Sequence, residues 1–233
     1  MAVLRWDQMG EKLYETGTKK GVLYPYDGTK TGDGQHPYSP GVAWNGLTSV
    51  SESPDGGDAN DIYADDIKYL SLRGVENFGG TIEAYTYPDA WTEIDGSASL
   101  MSGVVIGQQP RKTFGFSYVT TIGSDTELDK HGYKIHLVYG ASASPSEKSY
   151  ETINDSPEPV QFSWEFTTVP VDVQITGTDH KPTALLTIDS TKFPAGTGGT
   201  KNEKLKALED ALYGTEQTDP YLPLPHEVVA LLT

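Results

Sequence analysis

The clearest pattern in the chain is the heptapeptide Tyr133-Lys134-Ile135-His136-Leu137-Val138-Tyr139. Its odd positions are all large and apolar or aromatic, whereas its even positions include a lysine and a histidine. This two-residue period is typical of a β-strand that buries one face. The same period runs through Phe114–Val119 and Phe162–Phe166, and its phase reverses in Val169–Ile175. We therefore predict a bulge or a tight bend at Thr167-Thr168, between two strands.

Further strand candidates lie along most of the chain and are separated by turn-forming residues. The candidates are Val42–Glu52, Ile62–Val75, Gly80–Tyr87 and Ala184–Asp189. Short Asp-Gly turns at Asp27-Gly28, Asp55-Gly56 and Asp95-Gly96 punctuate the chain between strands. Many short strands at this spacing predict a mainly β protein with a β-sandwich or barrel-like fold.

One segment has helical periodicity instead. Apolar residues recur every three or four positions within 201–213, so we predict a helix that lays one apolar stripe on a sheet. The residues that define this helix are Leu205, Leu208 and Leu212, with Thr200 and Glu203 as its capping box and Gly214 as its end. A shorter helical turn is expected over Asp89–Ile94, directly after a proline.

The patterns divide the chain into three parts. Residues 1–38 have no sustained period and are predicted to form an N-terminal arm, residues 39–200 form the β domain, and residues 201–233 form a flanking helix and a C-terminal tail. The tail from Asp219 onward ends in apolar residues, which need a surface to bury against. Pattern alone leaves two choices open for that surface, the chain's own flank or a neighbouring subunit.

The composition excludes several classes of protein. The chain has 233 residues, no cysteine and a formal net charge of −16 at pH 7. The lack of cysteine excludes disulfide scaffolds, thiol catalysis and cysteine-ligated metal centres. We expect no membrane span, because no apolar run is long enough, and no signal peptide at the N-terminus. The acidic balance argues against tight binding of nucleic acid, because phosphates are bound by clustered lysines and arginines.

Side chains that could catalyse a reaction or bind a metal are scattered along the chain. The five histidines show no metal-ligand spacing, and no nucleophile, base and orienting group can be named together. The stretch Gly196–Lys201 resembles a phosphate-binding loop only loosely, since it lacks the Gly-Lys-Ser/Thr ending. A flexible loop into the capped helix explains it better. We therefore expect a protein that is not an enzyme and holds no cofactor or metal.

An acidic stretch without lysine or arginine lies between positions 52 and 66. Its members are Glu52, Asp55, Asp58, Asp61, Asp65 and Asp66. The spacing does not match a calcium-binding loop, because Gly57 and Ala59 occupy positions at which ligands are needed. We expect a hairpin tip in solvent or, in an assembly, several copies of a loop that line a common passage.

An ordered series of motifs resembles one known family. The motifs are Gly41–Val50, Ser53–Gly57, Ile62–Asp65, Tyr69–Arg73, Gly80–Pro88, Gly107–Gln109, Arg111-Lys112, Phe114-Gly115, Tyr133–Gly140, Asn154–Pro157 and Phe162–Glu165. Together they run from about Gly41 to about Val173. They look like the major tail protein, or tail tube protein, of long-tailed bacteriophages of Gram-positive hosts.

The resemblance implies a β-sandwich or barrel-like subunit with a flanking helix, of which six copies form a ring. Strands of all subunits would join one inner β-barrel, which removes exposed strand edges, and the rings would stack into the tail tube of the virion. It also implies a tape-measure protein in the lumen, tail terminator and distal tail proteins at the ends, and passage of double-stranded DNA without retention. Such a protein is made in the host's cytoplasm, and a contractile sheath around the tube is left open.

Three hypotheses about residues follow from the resemblance. The strands Val42–Glu52, Ile62–Arg73, Arg111–Ile122 and Tyr133–Gly140 would form the lumen sheet. Its lumen-facing candidates are Ser49, Ser51, Lys68, Ser71, Thr113, Ser117, Lys134 and His136. The acidic stretch 52–66 would reach a neighbouring subunit or ring. The N-terminal arm would contact other subunits or rings through Leu4, Trp6, Leu13 and Tyr14, and the C-terminal tail Asp219–Thr233 would make contacts of the same kind.

Two other functions are alternatives. A carbohydrate-binding β-sandwich on a virion or cell surface would use tryptophans as sugar platforms, and the chain has Trp6, Trp44, Trp91 and Trp164. However, Trp164 alternates with Phe162 and Phe166 in a strand, so core packing explains it better. A hydrolase with paired carboxylates is the third alternative, but any β protein this rich in acids offers such pairs.

Overall fold

The computed structural model describes residues 3–30, 34–150, 152–153, 155, 158–175, 179–193 and 202–233. Its strands are β1 Leu13–Pro25, β2 Val42–Ala43, β3 Leu47–Glu52, β4 Asp55–Gly56, β5 Ala59–Ala64, β6 Ile67–Arg73, β7 Glu76–Asn77, β8 Gly79–Ala84, β9 Ala98–Met101, β10 Val104–Ile106, β11 Phe114–Ser124, β12 Leu128–Ala143, β13 Phe162–Thr168 and β14 Leu185–Asp189. Its helices are α1 Trp91–Ile94, α2 Glu203–Tyr213 and α3 Pro225–Leu232, with a 3-10 turn at Ser190–Lys192. The protein is mainly β, as the periodicity predicts.

The main sheet is antiparallel and curves back on itself. Its strands run in the order β2-β1-β11-β12-β13-β8-β3, with β14 paired to β12. The path starts at β2 and ends at β3, and only residues 44–46 separate these two strands in the chain. Trp44 ties the ends together, because its backbone N–H donates to the Gly21 carbonyl at 2.8 Å and its indole N–H to the Thr86 carbonyl at 2.9 Å. The result is a barrel-like sheet.

An aromatic core fills the inside of the curved sheet. Trp164 and Phe166 of β13 meet Phe114 and Phe116 of β11, and Trp91 of α1 closes the cluster. The rings of Trp91 and Trp164 pack edge to face with centroids 5.3 Å apart, a favourable geometry for aromatic pairs. These side chains occupy the apolar positions of the predicted strands, so the phases read from the sequence are confirmed for β11 and β13.

A second core lies between the outer face of the sheet and the helices. Leucines of α2 and Val228 of α3 pack on the apolar residues of β1, β11, β12 and β14. Two buried tyrosine hydroxyls fasten this layer, because Tyr24 donates to the Leu212 carbonyl at 2.7 Å and Tyr139 to the Pro223 carbonyl at 2.8 Å. The C-terminal tail is therefore buried against the chain's own flank, the first of the two choices that the pattern left open, and its buried residues Leu222 and Val228 are not free for the inter-subunit contacts expected of the tail.

The start of α2 differs from the predicted one. The helix begins at Glu203, and the Asn202 side chain caps it by accepting the Lys204 N–H at 3.0 Å. The predicted cap Thr200 and the loop Gly196–Lys201 lie outside the described residues. Gly214 ends the helix as predicted, with its N–H bonded to the Asp210 carbonyl.

The structure also differs from the predicted N-terminal arm. Residues Leu13–Pro25 form β1, in the middle of the sheet, and Leu23 and Tyr24 are fully buried. Two register shifts in its pairing with β11, on either side of Lys19, break the alternation that marks a strand. Only the residues before β1 and those that follow Pro25 remain as connecting segments.

Other predicted strands are shorter or interrupted. Ile62–Val75 is a hairpin rather than one strand, because Asp65 and Asp66 both adopt left-handed φ angles of 51° and 62° and reverse the chain. Beyond β13, only an isolated bridge from Val171 to Thr183 continues the predicted strand Val169–Ile175. The change of phase at Thr167-Thr168 therefore marks the end of a strand.

Candidate assembly surfaces

A long hairpin projects from the end of the β3–β8 pair. We call Asp55–Asn77 the hairpin arm: it consists of the short ladder β4–β7 at its base, the ladder β5–β6 beyond it and a turn at Asp65-Asp66. Strands β5 and β6 pair only with each other among the described residues. The arm is therefore an extension of the hairpin β3–β8, beyond the body of the protein.

The arm has one apolar face. Because residues that pair across a ladder point to the same side, the pairs of β5 and β6 define this face. Its members are Asn60 and Leu72, Ile62 and Leu70, and Ala64 and Ile67. These side chains lie open to solvent, with Ile62 at 38% and Ile67 at 65% of full exposure. A contiguous apolar surface of this kind is a candidate site of protein contact.

The opposite face of the arm is polar. Asp61 accepts a hydrogen bond from the Ser71 hydroxyl at 2.6 Å and pairs with Lys68 Nζ at 2.8 Å. These two contacts, that of Lys68 first, lower the pKa of the Asp61 carboxyl. The predicted acidic stretch is thus divided: Asp55, Asp58 and Asp61 lie along the first half of the arm, Asp65 and Asp66 form its tip, and Glu52 stays in the body.

A second polar surface covers the outer side of β3, β8 and β13. We call it the hydroxyl–carboxylate face, formed by Ser49, Ser51, Thr81, Glu83, Ser163 and Glu165. The register places these residues in two rows across the three strands, Ser49–Glu83–Ser163 and Ser51–Thr81–Glu165. The Ser49 hydroxyl donates to Glu83 Oε2 at 2.7 Å. None of the six is basic, so the face presents only hydroxyls and carboxylates.

The predicted lumen residues fall into five places. Ser49 and Ser51 belong to the hydroxyl–carboxylate face, and Lys68 and Ser71 to the polar face of the arm. Thr113 precedes β11, and Lys134 and His136 lie on β12. Ser117 is buried beside Tyr24, with the two hydroxyls 3.2 Å apart, and His136 is also buried, so neither side chain lies on the surface of the single chain.

Four members of the hydroxyl–carboxylate face were not predicted from the sequence. They are Thr81, Glu83, Ser163 and Glu165. The signal was present, because the residues that alternate with Phe162, Trp164 and Phe166 must point away from the core. Which of several polar strand faces lie side by side depends on the pairing of β13 with β8, and this pairing joins residues far apart in the chain.

The structure brings three predicted residues, Glu52, Lys134 and His136, to one end of the barrel. Glu52 Oε1 accepts a hydrogen bond of 2.5 Å from the Tyr118 hydroxyl, and His136 Nδ1 lies 3.3 Å from the same oxygen. The rings of Tyr118 and His136 are stacked, with centroids 4.6 Å apart and planes 2° apart. We call Glu52, Tyr118 and His136 the root cluster, because Glu52 ends β3 where the hairpin arm begins.

The root cluster shifts the ionisation of its members. Burial, together with the bond to Glu52, raises the pKa of the Tyr118 phenol. Burial lowers the pKa of His136, although the charges of Glu52 and Glu15 act in the opposite direction. Beside the cluster, Lys134 Nζ pairs with Glu15 of β1. Tyr118 and His136 are therefore neutral at pH 7.

The predicted N-terminal contact residues are exposed. Leu4 and Trp6 precede β1, whereas Leu13 and Tyr14 are its first two residues and pair with Ser124 and Gly123 of β11. All four remain on the surface of the single chain, as contact residues of an assembly would. Their role as contacts stays a prediction.

The tryptophans mostly build the core. Trp44, Trp91 and Trp164 are buried together in the aromatic cluster, and only Trp6 lies on the surface. The predicted core role of Trp164 is confirmed. A row of exposed tryptophans for stacking on sugars is absent from the described residues, which removes the main support for a carbohydrate-binding module.

Comparison with known proteins identifies the family. The family model described as phage tail tube protein matches residues 17–203, which is most of the chain. The chain belongs to the phage tail tube protein family. It is therefore a structural, non-enzymatic component of the phage tail, as the resemblance implied.

Solved structures also include similar chains. A chain of the PVC sheath–tube complex of an extracellular contractile injection system, solved by cryo-EM in the extended state, is similar at 10% identity and a TM-score of 0.30. The similarity covers 73% of this tail tube protein and 88% of that chain. No curated protein sequence matches the chain.

Two further features of the described residues bear on function. No helix among them has the length and apolar character needed to cross a bilayer. Nor do they contain a cluster of three or more His, Asp or Glu side chains arranged to hold a metal ion.

Proposed function

We propose that this tail tube protein closes into rings of six, that the rings stack, and that the hydroxyl–carboxylate face lines the lumen through which the genome is ejected. The hairpin arm would lay its apolar face on a neighbouring copy. The exposed apolar face of the arm is the single observation that carries the proposal. A ring closes through head-to-tail contacts between two different surfaces of one chain, and stacking along the axis can then continue.

The arm supports assembly because, in the part of the chain that the structure describes, its apolar face is open to solvent. Ile62, Leu70 and Leu72 would each gain by leaving water, at about 25 cal/mol per Å² of apolar surface buried. The polar face, with its Asp61–Lys68 pair, needs no partner and can stay in solvent. Because the two faces differ in polarity, we expect the apolar face of the arm to contact a neighbouring copy and the polar face to remain exposed to solvent.

The chemistry of the hydroxyl–carboxylate face supports passage of DNA. Lysines and arginines on a lumen wall would bind phosphates by releasing counterions, and DNA would be retained. Serine, threonine and glutamate side chains offer no such binding, and the carboxylates of Glu83 and Glu165 repel phosphate. A net charge of −16 per chain acts in the same direction.

The partners follow from the same proposal. A tape-measure protein would occupy the lumen during assembly, and tail terminator and distal tail proteins would bind the two ends of the tube. The protein would be synthesised in the cytoplasm of the host bacterium. A Gram-positive host stays a prediction from the sequence motifs.

The experiment that tests this proposal compares two neighbouring substitutions on opposite faces of the arm. Ile62→Asp places a charge on the apolar face, whereas Tyr63→Asp places the same charge on the polar face. We expect Ile62→Asp to abolish rings and tubes in negative-stain electron microscopy and Tyr63→Asp to retain them. Both variants should keep the thermal unfolding temperature of the wild type, because both positions are exposed and outside the core. Normal tubes from Ile62→Asp would overturn the role of the apolar face.

A further inference from the structure

We propose that Glu52 and Tyr118 are positioning residues that fix the direction in which the hairpin arm leaves the body. They would make no contact with a neighbouring subunit themselves. Their effect on assembly would come through the arm, which a flexible root would allow to sample many directions. The proposal rests on the proposed function only for its biological meaning, since the direction of the arm is a property of the single chain.

The first step of the argument is the place of Glu52 in the chain. It is the last residue of β3, and the arm starts three residues later at Asp55. Its backbone pairs with Gly80 of β8, while its side chain reaches across the barrel interior to Tyr118 of β11. Glu52 therefore ties the point at which the arm starts to the opposite wall of the sheet.

The second step is the strength of the hydrogen bond between Tyr118 and Glu52. The Tyr118 hydroxyl to Glu52 Oε1 distance of 2.5 Å is that of a short hydrogen bond to a charged acceptor. Tyr118 is 2% exposed and His136 is 8% exposed, so the donor side of the bond is shielded from water, whereas the Glu52 side chain is 34% exposed. The stacked ring of His136 and its contact with the Thr120 hydroxyl at 3.0 Å hold the phenol ring in place from the other side. The Tyr118 ring, which donates the hydrogen bond to Glu52, is thus held in a fixed position.

The third step is that the second strand of the arm is fastened independently. Thr168 of β13 donates its backbone N–H and its hydroxyl to the Phe78 carbonyl, at 3.1 and 2.6 Å. Across the root, the Ser53 N–H donates to the Gly79 carbonyl at 2.8 Å. With Phe78 anchored to β13 and Glu52 anchored to β11, the two strands of the arm are held on opposite sides. Two such anchors fix the direction in which the arm leaves the body, whereas a single anchor would let the arm rotate about it.

The test measures the direction of the arm in the monomer. Since the chain has no cysteine, spin labels can be placed at Ala64→Cys near the tip and Lys206→Cys on the exposed side of α2. The distance distribution between them is measured by pulsed electron paramagnetic resonance. We expect a single narrow distribution in the wild-type background and a broadened one with Tyr118→Phe, which removes the hydroxyl but keeps the ring stacked on His136.

A matched control is available in the same molecule. The Tyr133 hydroxyl also donates to a glutamate, Glu209 of α2, at 2.5 Å. This pair lies at the helix layer and not at the arm. Tyr133→Phe should leave the distance distribution unchanged. Glu52→Gln serves as a second variant that tests the same tie if Tyr118→Phe does not fold.

A second measurement checks that the effect is local. Loss of a hydrogen bond to a charged group should raise the amide exchange rate of Ser53 about tenfold. The amide of Ile135 in β12 should keep its wild-type rate. An unchanged distance distribution in both Tyr118→Phe and Glu52→Gln would overturn the proposal, and so would equal broadening in Tyr133→Phe.

The two proposals can fail separately. If Ile62→Asp forms normal tubes, the contact role of the arm is wrong, but the distance distributions still decide whether Glu52 and Tyr118 set its direction. If the distributions do not change, the positioning role is wrong, whatever the tubes of Ile62→Asp show.

Discussion

Trp164 shows how one residue position separates core from surface in this protein. Its side chain is 1% exposed in the aromatic core, while its chain neighbours Ser163 and Glu165 point outward on the hydroxyl–carboxylate face. The core role could be predicted from the alternation in β13 alone. The role of the two outward residues could not, because it depends on which strands lie beside them.

The contribution of Trp164 to the free energy of unfolding can be measured. Trp164→Ala removes a fully buried indole that touches Trp44, Trp91 and Phe162, so we expect a loss of about 3–5 kcal/mol in the free energy of unfolding. Denaturant titration followed by circular dichroism measures it. Trp6→Ala is the matched control, because Trp6 is 75% exposed and its loss should change the free energy by less than about 0.5 kcal/mol. Equal effects of the two variants would contradict the packing described here.

His136 predicts a pH dependence of stability. Burial lowers its pKa in the folded chain below the ordinary 6.5, so the unfolded chain binds a proton at a higher pH than the folded chain does. The stability that comes from the neutral ring is complete above pH 6.5 and is lost as the pH falls towards the lowered pKa. Denaturant midpoints measured on both sides of pH 6.5 should therefore decrease on the acid side, and His136→Asn should reduce that decrease. A decrease of the same size in the variant would assign the effect to other groups.

Elements differ in how well their sequences reveal them. Strands β11 and β13 keep an unbroken alternation and could be predicted with their phases. Strand β1 could not, because the register shifts around Lys19 move successive side chains off the regular two-residue pattern. A hairpin tip within 52–66 was expected, but its position inside the predicted strand Ile62–Val75 was not, because Asp65-Asp66 lacks the glycine that usually marks such a turn, although both residues adopt left-handed angles.

The arm is expected to be an element that assembly needs and folding does not. Replacing Asp55–Asn77 by Asn-Gly would join β3 to β8 through a short turn of the kind that hairpins favour. We expect the shortened chain to keep its circular dichroism spectrum and its unfolding temperature within a few degrees, because among the residues that the structure describes β5 and β6 pair only with each other. Electron microscopy should show no tubes. A shortened chain that is unfolded would show instead that the arm is part of the folding unit.

At the scale of the whole molecule, the chain has a net charge of −16, and two of its acidic side chains, Glu83 and Glu165, lie on the hydroxyl–carboxylate face. The sequence showed the charge but not where it lies, since the hydroxyl–carboxylate face forms only when β3, β8 and β13 come together. For the same reason the root cluster could not be predicted: Glu52, Tyr118 and His136 are brought together by sheet pairing over long stretches of chain. The sequence motifs were sufficient for the family, whereas the contact surfaces required the fold.

Reversing the charge of the proposed lumen should make the tube retain DNA. In tubes assembled from the double variant Ser163→Lys and Glu165→Lys, every subunit would add two phosphate-binding groups to the wall. We expect these tubes to capture double-stranded DNA at low salt and to release it as salt rises. Glu216→Lys with Gln217→Lys, on the exposed loop after α2, is the control for added charge outside the proposed lumen. Equal or absent capture by the two kinds of tube would contradict the assignment of the lumen.

The placement of the hydroxyl–carboxylate face is tested most directly by a cryo-EM reconstruction of tubes assembled from the purified protein. We predict that Ser163 and Glu165 lie on the lumen wall and that the apolar face of the hairpin arm, with Ile62 and Leu70, is buried on a neighbouring copy. A map in which Ser163 and Glu165 lie on the outer wall, with the arm free in solvent, would contradict the proposed function.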